Sequence, residues 1–245
     1  MKDNFSRQSN DYAKFRPHYP AELFDFLMPL IPEHKVAWDV ATGNGQVANV
    51  LADHFEEVKA TDISANQLKQ AIQKKNIIYS VESAEQSSFA NSTFDLITIA
   101  QAIHWFQFDA FYREVRRTLK PNGIIAVIGY PLFTINNEID EIILHFYSET
   151  LRNCWDPERK YLDEMYSTIP FPFPEIKTPD FSMSYEWTLD ELTGFLNTWS
   201  AVQHYINRYE KNPVEAVRKE LETAWKEDEK KKVSFPVILR VGKNI

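Results

Sequence analysis

The sequence predicts an α/β fold, a doubly wound and mostly parallel sheet of seven strands with an aromatic-rich insertion after the fifth strand. Between residues 35 and 130, short apolar runs alternate with amphipathic ones. The apolar runs lack polar alternation, as expected of parallel strands covered on both faces. After residue 130 this alternation stops, and the chain ends with helical patterns and two further strand patterns.

The first five strands come from the apolar runs. They are predicted at 35–40 ("KVAWDV"), 57–62 ("EVKATD"), 76–81 ("NIIYSV"), 94–100 ("FDLITIA") and 123–130 ("GIIAVIGY").

The helices between these strands are indicated by periodicity and by capping residues. A helix over 46–55 places one set of side chains on a single face, Val47, Val50, Leu51 and His54. Ser64 and Gln67 form the pattern of a capping box, which opens a helix to about residue 74. A further helix is marked by Phe111, Val115 and Leu119 and is stopped by Lys120-Pro-Asn-Gly123.

Residues 131–180 are predicted to fold over one edge of the sheet, with a helix marked by Ile139, Ile142, Ile143 and Phe146 before the segment "IPFPFPEIKTPDF". "FSMSYEW" (181–187) alternates as a half-exposed strand does, and Thr188 with Glu191 caps the next helix. A late helix runs from Asn212-Pro213 to about residue 225. The last strand is "SFPVILRV" (234–241), in which Pro236 indicates an edge or an early strand position.

Composition limits the classes of partner. The 245 residues carry a net charge of −8, with 44% apolar and 25% charged residues, so no basic surface for nucleic acid is expected. The single cysteine, Cys154, excludes an internal disulfide and a cysteine-based metal cluster, and we expect no metal. The N-terminus is too polar for a signal peptide and no apolar run is long enough for a membrane span, so a cytoplasmic protein without a membrane partner is expected.

The stretch "DVATGNGQ" (39–46) indicates a backbone turn around a ligand, with Gly43 and Gly45 two residues apart. An acid, Asp62, ends the second strand about 20 residues later, where it can bond ribose hydroxyls. A nicotinamide dinucleotide and S-adenosylmethionine (SAM) both fit this pattern.

Three further features favour SAM. Asp39 precedes the glycines, where an anion repels a pyrophosphate but attracts a cofactor that carries a cation. "SAEQ" (83–86) places a small residue and an acid, Ala84 and Glu85, where an adenine amine can bind. The strand pattern at the end of the chain matches a seven-stranded sheet whose last strand is inserted antiparallel.

These segments resemble the class I SAM-dependent methyltransferases. The matching motifs are "WDVATGNGQ", "ATDIS", "SAEQ", "FDLITIAQAIHWF" and "LKPNGIIAVIGY". The resemblance implies a Rossmann-like fold, conversion of SAM to S-adenosylhomocysteine, and one domain over 1–245. Within it, 1–34 forms a lid, 35–130 the SAM-binding core, 131–180 the roof of the acceptor pocket, and 181–245 the final strands and helices. The implied cofactor-binding residues are Asp39, Ala41, Gly43, Gly45, Gln46, Asp62, Ile63, Ala84, Glu85 and Gln101. Ala41 departs from the family, which usually has a glycine there.

The flanking segments "YAKFRPHYPAELFDFL" and "AQAIHWF" are similar to the trans-aconitate methyltransferases and their small-molecule relatives. This narrower resemblance implies transfer to an oxygen or nitrogen of a small organic molecule, with a carboxylic acid favoured. The candidate catalytic residues are Arg16, Gln101 and His104.

Several roles have two interpretations. Asp39 binds the methionyl amine of SAM, directly or through water, or only orients the loop. His104 is a general base or a hydrogen-bonded wall residue. Arg16 binds the SAM carboxylate or an acid acceptor, or forms a surface ion pair. Trp105 packs in the core or faces the sulfonium.

Aromatic residues of the insertion are predicted to roof the acceptor pocket, although packing alone would explain them: Trp155, Tyr161, Tyr166, Phe171 and Phe173. Phe5 and Tyr12 are assigned to the lid. Two rival functions are an NAD-dependent oxidoreductase and a SAM-binding module without catalysis. The acidic charge disfavours a nucleic-acid methyltransferase.

Overall fold

The computed structural model describes residues 15–226 and 229–245. The strands are β1 (Val36–Val40), β2 (Glu57–Asp62), β3 (Ile77–Val81), β4 (Phe94–Ala100), β5 (Leu119–Gly129), β6 (Glu175–Ile176), β7 (Phe181–Trp187) and β8 (Lys231–Lys243). The α-helices are α1 (Ala21–Leu27), α2 (Gln46–Leu51), α3 (Ala65–Lys69), α4 (Phe108–Thr118), α5 (Asn137–His145), α6 (Arg159–Asp163), α7 (Leu189–Asn197), α8 (Ser200–Tyr209) and α9 (Val214–Ala224). Short 3₁₀ turns cover Met28–Leu30 and Ile103–Trp105, and a π-helical turn covers Phe146–Thr150.

The strands form one sheet in the order β3-β2-β1-β4-β5-β8-β6, and β7 also pairs with β8. The first five strands run parallel to one another, whereas β8 runs antiparallel to β5, β6 and β7. The predicted doubly wound, mostly parallel α/β fold is therefore confirmed. All seven predicted strands are present, and the two-residue β6 is an addition that sequence patterning did not indicate.

Successive residues of the central strands point into two separate cores, which shows that both faces of the sheet are covered. One core contains Leu96, Ile124, Ala126 and Ile128 together with apolar side chains of α1, α2, α7, α8 and α9. The other contains Ile97, Ile99, Ile125 and Val127 together with side chains of α4 and of the 162–173 segment. No helix in the described ranges is both long and apolar enough to cross a bilayer.

Two helices end earlier than predicted. The helix predicted over 46–55 is α2, which ends at Leu51, and its buried face is completed by Phe55, whereas His54 is exposed. Ser64 caps α3 as predicted, but this helix ends at Lys69. The chain then turns, and the Ile72 N–H donates to the Asn44 carbonyl in the glycine loop (3.1 Å). The Ile72 N–H therefore bonds to the glycine loop instead of continuing the helical hydrogen bonds of α3.

The other boundaries follow local rules. The helix α4 ends at Thr118, as the Pro-Gly signal predicts, but β5 begins at Leu119 and continues through Pro121 and Gly123 across a register shift with β4. Thr188 and Glu191 form both bonds of the capping box. At Pro236, β8 pairs with β7, and its pairing with β5 starts only at Ile238, so the proline lies where the strand lacks its β5 partner.

Candidate active site

The loop between β1 and α2 is built from left-handed backbone conformations. The φ angles are +53° at Ala41, +57° at Gly43 and +81° at Gly45. A Cβ at Gly45 would overlap the Tyr79 hydroxyl of β3, whereas a Cβ at Gly43 would meet no atom within 4 Å. Glycine is therefore favoured at position 45 by the left-handed conformation and by the close approach of Tyr79, while Ala41 occupies a conformation that favours glycine.

Asp39 lies at the end of β1 and is almost completely buried (1% exposed). Its Oδ2 accepts hydrogen bonds from the Thr42 hydroxyl (2.5 Å) and the Ala48 N–H (3.1 Å), and its Oδ1 accepts one from the Thr98 hydroxyl (2.8 Å). Burial raises the pKa of Asp39 to about 6. These bonds connect the glycine loop to α2 and β4. They agree with the interpretation in which Asp39 orients the loop.

Asp62 reaches the same loop from the end of β2. Its Oδ2 accepts from the Gly43 N–H (2.9 Å) and its Oδ1 from the Ser64 N–H (2.8 Å). An ionised carboxylate offers about four acceptor positions, so these bonds are compatible with ribose hydroxyls as further donors. The ribose role stays a prediction.

Glu85 and Ala84 follow β3. The Ser83 hydroxyl donates to the Glu85 carboxylate, which also accepts from the Gln107 N–H (3.2 Å). Ala84 is buried (2% exposed), and Ile63 is half-buried after β2. All three lie near the carboxyl ends of β2 and β3, and their predicted adenosine contacts remain predictions.

A cavity, here called the loop cavity, opens beside the glycine loop. It brings together six of the predicted site residues, Arg16, Asp39, Ala41, Gly43, Gln46 and Gln101. It is completed by Pro17, Tyr19, Thr42, Asn44, Val47, Ala100 and Tyr130. Gly45, Asp62, Ile63, Ala84 and Glu85 do not line it.

A second cavity, here called the aromatic cavity, lies next to the first. The two share Arg16, Gln101 and Tyr130. The remaining lining residues are His104, Trp105, Pro131, Leu132, Phe133, Trp155, Asp156, Arg159, Leu162, Phe195, Trp199 and Ser200.

Arg16 and Gln101 lie at the junction of the two cavities. Arg16 Nη1 donates to the Tyr130 hydroxyl (3.1 Å), and Nη2 donates to the Thr198 carbonyl (3.3 Å). Gln101 has a φ of +54°, and its Nε2 donates to the Tyr130 carbonyl (2.9 Å). Strained backbone of this kind concentrates at functional sites, which supports the prediction that the end of β4 forms part of the site.

His104 is buried (6% exposed), and its Nδ1 lies 3.0 Å from the Tyr166 hydroxyl. Burial, reinforced by the Arg159 cation, lowers the pKa of His104 to about 3. The imidazole is therefore neutral at pH 7 and a weak proton acceptor. This favours the wall-residue interpretation of His104 over the general-base one.

Only one of the five predicted roof rings, Trp155, lines the aromatic cavity. Tyr166 is fully buried beside His104, and the Tyr161 ring packs on Phe108 (centroids 5.4 Å apart). Phe171 and Phe173 pack against Tyr112 of α4. These contacts of the four rings agree with the packing interpretation. Phe5 and Tyr12 lie outside the described residues.

Sequence reasoning missed Arg159 and the walls supplied by Tyr130, Phe195 and Trp199. Arg159 lies over the rings of Trp155 (4.9 Å) and Tyr147 (5.3 Å), and its Nε donates to the Tyr147 hydroxyl (2.8 Å). No spacing motif marks it. The available signal was an arginine among the aromatic residues of the insertion.

Comparison with known proteins identifies the family. A family profile described as "Methyltransferase domain" matches residues 38–127. A Dictyostelium discoideum protein named as a methyltransferase is 31% identical, over 98% of this chain and 95% of that protein. A solved structure from Anaeromyxobacter dehalogenans, described as a type II methyltransferase, has a TM-score of 0.86 at 34% identity, over 94% of this chain and 99% of that chain.

A Saccharomyces cerevisiae protein named as a SAM-dependent methyltransferase is 23% identical, over 82% of this chain and 80% of that protein. The narrower resemblance to trans-aconitate methyltransferases stays a prediction. The glycine loop is compatible with a nicotinamide dinucleotide and with SAM, and the methyltransferase relatives identify SAM as the cofactor. Its fold, its motifs and its relatives agree: the chain belongs to the class I SAM-dependent methyltransferases.

Proposed function

We propose that the protein transfers the methyl group of SAM to a carboxylate oxygen of a small organic acid bound in the aromatic cavity. The observation that carries this proposal is the shared wall of Arg16, Gln101 and Tyr130 between the two cavities. A guanidinium there can bind an acid in the aromatic cavity and keep it next to the loop cavity.

The residues around the loop cavity fit SAM. The left-handed loop at Gly43 leaves open space where a side chain would lie, and backbone can approach a ligand closely at such a position. Asp39 lines the cavity and Asp62 bonds the loop, which suits a ligand with a sulfonium and an ammonium group. When bound, SAM supplies an activated methyl group.

The residues around the aromatic cavity fit an anion with an apolar body. Arg16 and Arg159 provide positive charge, and the rings of Trp155, Phe195 and Trp199 provide apolar walls that exclude water. A carboxylic acid is already ionised near pH 7, so no general base is needed. The work of the protein is then to align the oxygen with the methyl group.

We infer the predicted division of the chain as well. In support, segment 131–180 contributes seven of the residues that line the aromatic cavity, Pro131, Leu132, Phe133, Trp155, Asp156, Arg159 and Leu162. Segment 35–130 contributes the glycine loop and the end of β4. On this proposal the two segments bind the acceptor and SAM respectively.

The rival functions fit the site less well. A phenol or amine acceptor would benefit from a base, and the low pKa of His104 makes it a poor one. A SAM-binding module without catalysis predicts no space beside the methyl group, yet the aromatic cavity adjoins the loop cavity and shares a wall with it.

A screen of small acids, phenols and amines with SAM, measured as S-adenosylhomocysteine release, tests the proposal. We expect turnover with one or more acids. Turnover only with phenols or amines would contradict the acid acceptor. SAM binding without turnover of any acid, phenol or amine would instead support the non-catalytic module.

A further inference from the structure

The backbone around Tyr166 is strained. Met165 and Tyr166 are consecutive non-glycine residues with left-handed conformations, φ +55° and +56°. The Tyr166 N–H donates to the Tyr161 carbonyl (2.7 Å), and the Tyr166 carbonyl accepts from Arg240 Nη1 (3.0 Å). Such strain persists where the surroundings over-determine a conformation. Here it places the ring of Tyr166 in the second core.

The fit of this ring depends on Gly129 at the end of β5. A Cβ at Gly129 would lie 2.7 Å from the Tyr166 ring, closer than packed atoms allow. The ring is fully buried, and its hydroxyl lies 3.0 Å from Nδ1 of His104. A strained backbone and a glycine thus combine to bring one phenol hydroxyl to one imidazole nitrogen.

The direction of this hydrogen bond follows from the need to satisfy a buried donor. Burial raises the pKa of Tyr166, so the phenol keeps its proton. A buried hydroxyl without an acceptor costs free energy, and Nδ1 of His104 is the acceptor that the geometry offers. When the phenol donates, Nδ1 is unprotonated, and the neutral imidazole carries its proton on Nε2.

The remaining groups around His104 keep it neutral. Its ring contacts Trp105 (centroids 4.8 Å apart), and Arg159 lies close enough to disfavour the imidazolium. His104 lines the aromatic cavity. With Nδ1 occupied by the phenol, Nε2–H is the polar group that His104 can present to a ligand there.

We propose that Tyr166 is a positioning residue, which fixes the tautomer of His104 so that Nε2–H donates a hydrogen bond to the methyl acceptor. The tautomer is a property of the free protein, whereas its use on a carboxylate oxygen rests on the proposed function. No proton is transferred, because the carboxylate is ionised and His104 stays neutral throughout.

The tautomer is tested without an acceptor, by long-range ¹H–¹⁵N correlation spectra of the ¹⁵N-labelled protein. The His104 signals are assigned by their loss in His104→Gln. We expect protonated Nε2 and unprotonated Nδ1 in the wild type, and a mixture of tautomers in Tyr166→Phe. Tyr112→Phe is the matched control, because that buried hydroxyl has no hydrogen-bond partner among the described residues, and its His104 signals should match those of the wild type.

Protonated Nδ1 in the wild type would overturn the proposal, and so would a His104 spectrum that Tyr166→Phe leaves unchanged. If Tyr166→Phe does not fold, the wild-type spectrum still decides. Because no acid is present, this result is independent of the acceptor screen.

The use of the donor is tested on the acid that gives most turnover in the screen. His104→Gln keeps an N–H donor without a titratable ring, and we expect it to retain several-fold more kcat/KM than His104→Ala. Tyr166→Phe should lose about 2- to 10-fold, the effect of one hydrogen bond. Equal loss in the Gln and Ala variants, with loss of a rise in rate between about pH 6 and 8, would show a general base instead.

Discussion

The two cavities differ in charge. The loop cavity is bordered by carboxylates, with Asp39 in its wall and Asp62 bonded to its loop. Arg16 lines both cavities, and the aromatic cavity adds a second guanidinium, Arg159, which also pairs with Asp163 (3.2 Å), and one carboxylate, Asp156. On the proposed function, Asp39 attracts the cationic methyl donor on one side of the shared wall, and Arg159 attracts an anionic acceptor on the other. Each ligand can then be selected by the charged side chains of its own cavity.

The largest effect is expected from a substitution that disturbs only the glycine loop beside the loop cavity. Gly45→Ala combines a left-handed φ with overlap on Tyr79, and we expect a loss of about 2–4 kcal/mol in the free energy of unfolding. Gly43→Ala is the matched control, with similar φ but open space, and should lose only about 1–2 kcal/mol. Chemical denaturation measures both. Equal losses would mean that Tyr79 moves aside easily.

Arg16→Ala tests the wall between the cavities. Hydrogen bonds to a charged group contribute about 1.5–3 kcal/mol, so kcat/KM for the acid should fall about 10- to 100-fold. SAM affinity, measured by calorimetry, should stay unchanged. Arg16→Lys, which keeps the charge without the planar fork, should lose less. A fall in SAM affinity would assign Arg16 to the SAM carboxylate and break the proposed separation.

Asp62→Ala tests the donor side alone. We expect SAM binding to weaken by about 1–3 kcal/mol, the loss for hydrogen bonds to a charged acceptor, with the fold retained. Asp62→Asn keeps one acceptor oxygen and should lose less. Unchanged SAM affinity by calorimetry would remove Asp62 from the site.

Asp39 gives the loop cavity a pH dependence. Its pKa is raised to about 6, so it is ionised at pH 7 and increasingly neutral below pH 6. The affinity for cationic SAM should therefore fall several-fold between about pH 7 and 5, and Asp39→Asn should remove this dependence.

The raised pKa of Asp39 also affects the stability of the fold. Asp39 contributes stability below pH 3.8, its ordinary pKa, and this contribution is lost as the pH rises through about 6. Calorimetry and denaturation across this range test both statements, and a flat SAM affinity would contradict the first.

The smallest expected effect is at Ala41. Its φ of +53° is strained for alanine, so Ala41→Gly relieves strain but adds entropy to the unfolded chain. We expect a net gain of at most about 1 kcal/mol in the free energy of unfolding. A loss would show that the methyl group of Ala41 makes packing contacts that the loop needs.

Most of the fold and much of the loop cavity could be predicted because their signals are local. The strands are runs of apolar residues, and Gly45 lies at a position where the backbone favours glycine. Asp62 was predicted as a ribose ligand from its spacing to the glycines, and the structure shows its bond to the Gly43 N–H of that loop. Helix ends were less predictable, since α3 stops where Ile72 bonds Asn44, a contact between residues distant in sequence.

The aromatic cavity was predictable only in part because its walls come from segments far apart in the chain. Arg16, His104 and Trp155 were named from resemblance or composition, whereas Arg159 follows no pattern. The Tyr166 hydroxyl reaches His104 through a strained turn, with Gly129 as its neighbour. No periodicity encodes such a contact.

The long strand β8 has a mechanical consequence. It pairs with β7 along residues 231–237 and with β5 along residues 238–243. Phe195 lies in α7, the helix that follows β7, and Trp199 directly precedes α8, while β5 belongs to the half that we propose binds the cofactor. One uninterrupted backbone ladder therefore connects both halves, and a hinge between them would have to break it. On the proposed function, the stiffness of this β-ribbon then sets the distance between the methyl donor and its acceptor.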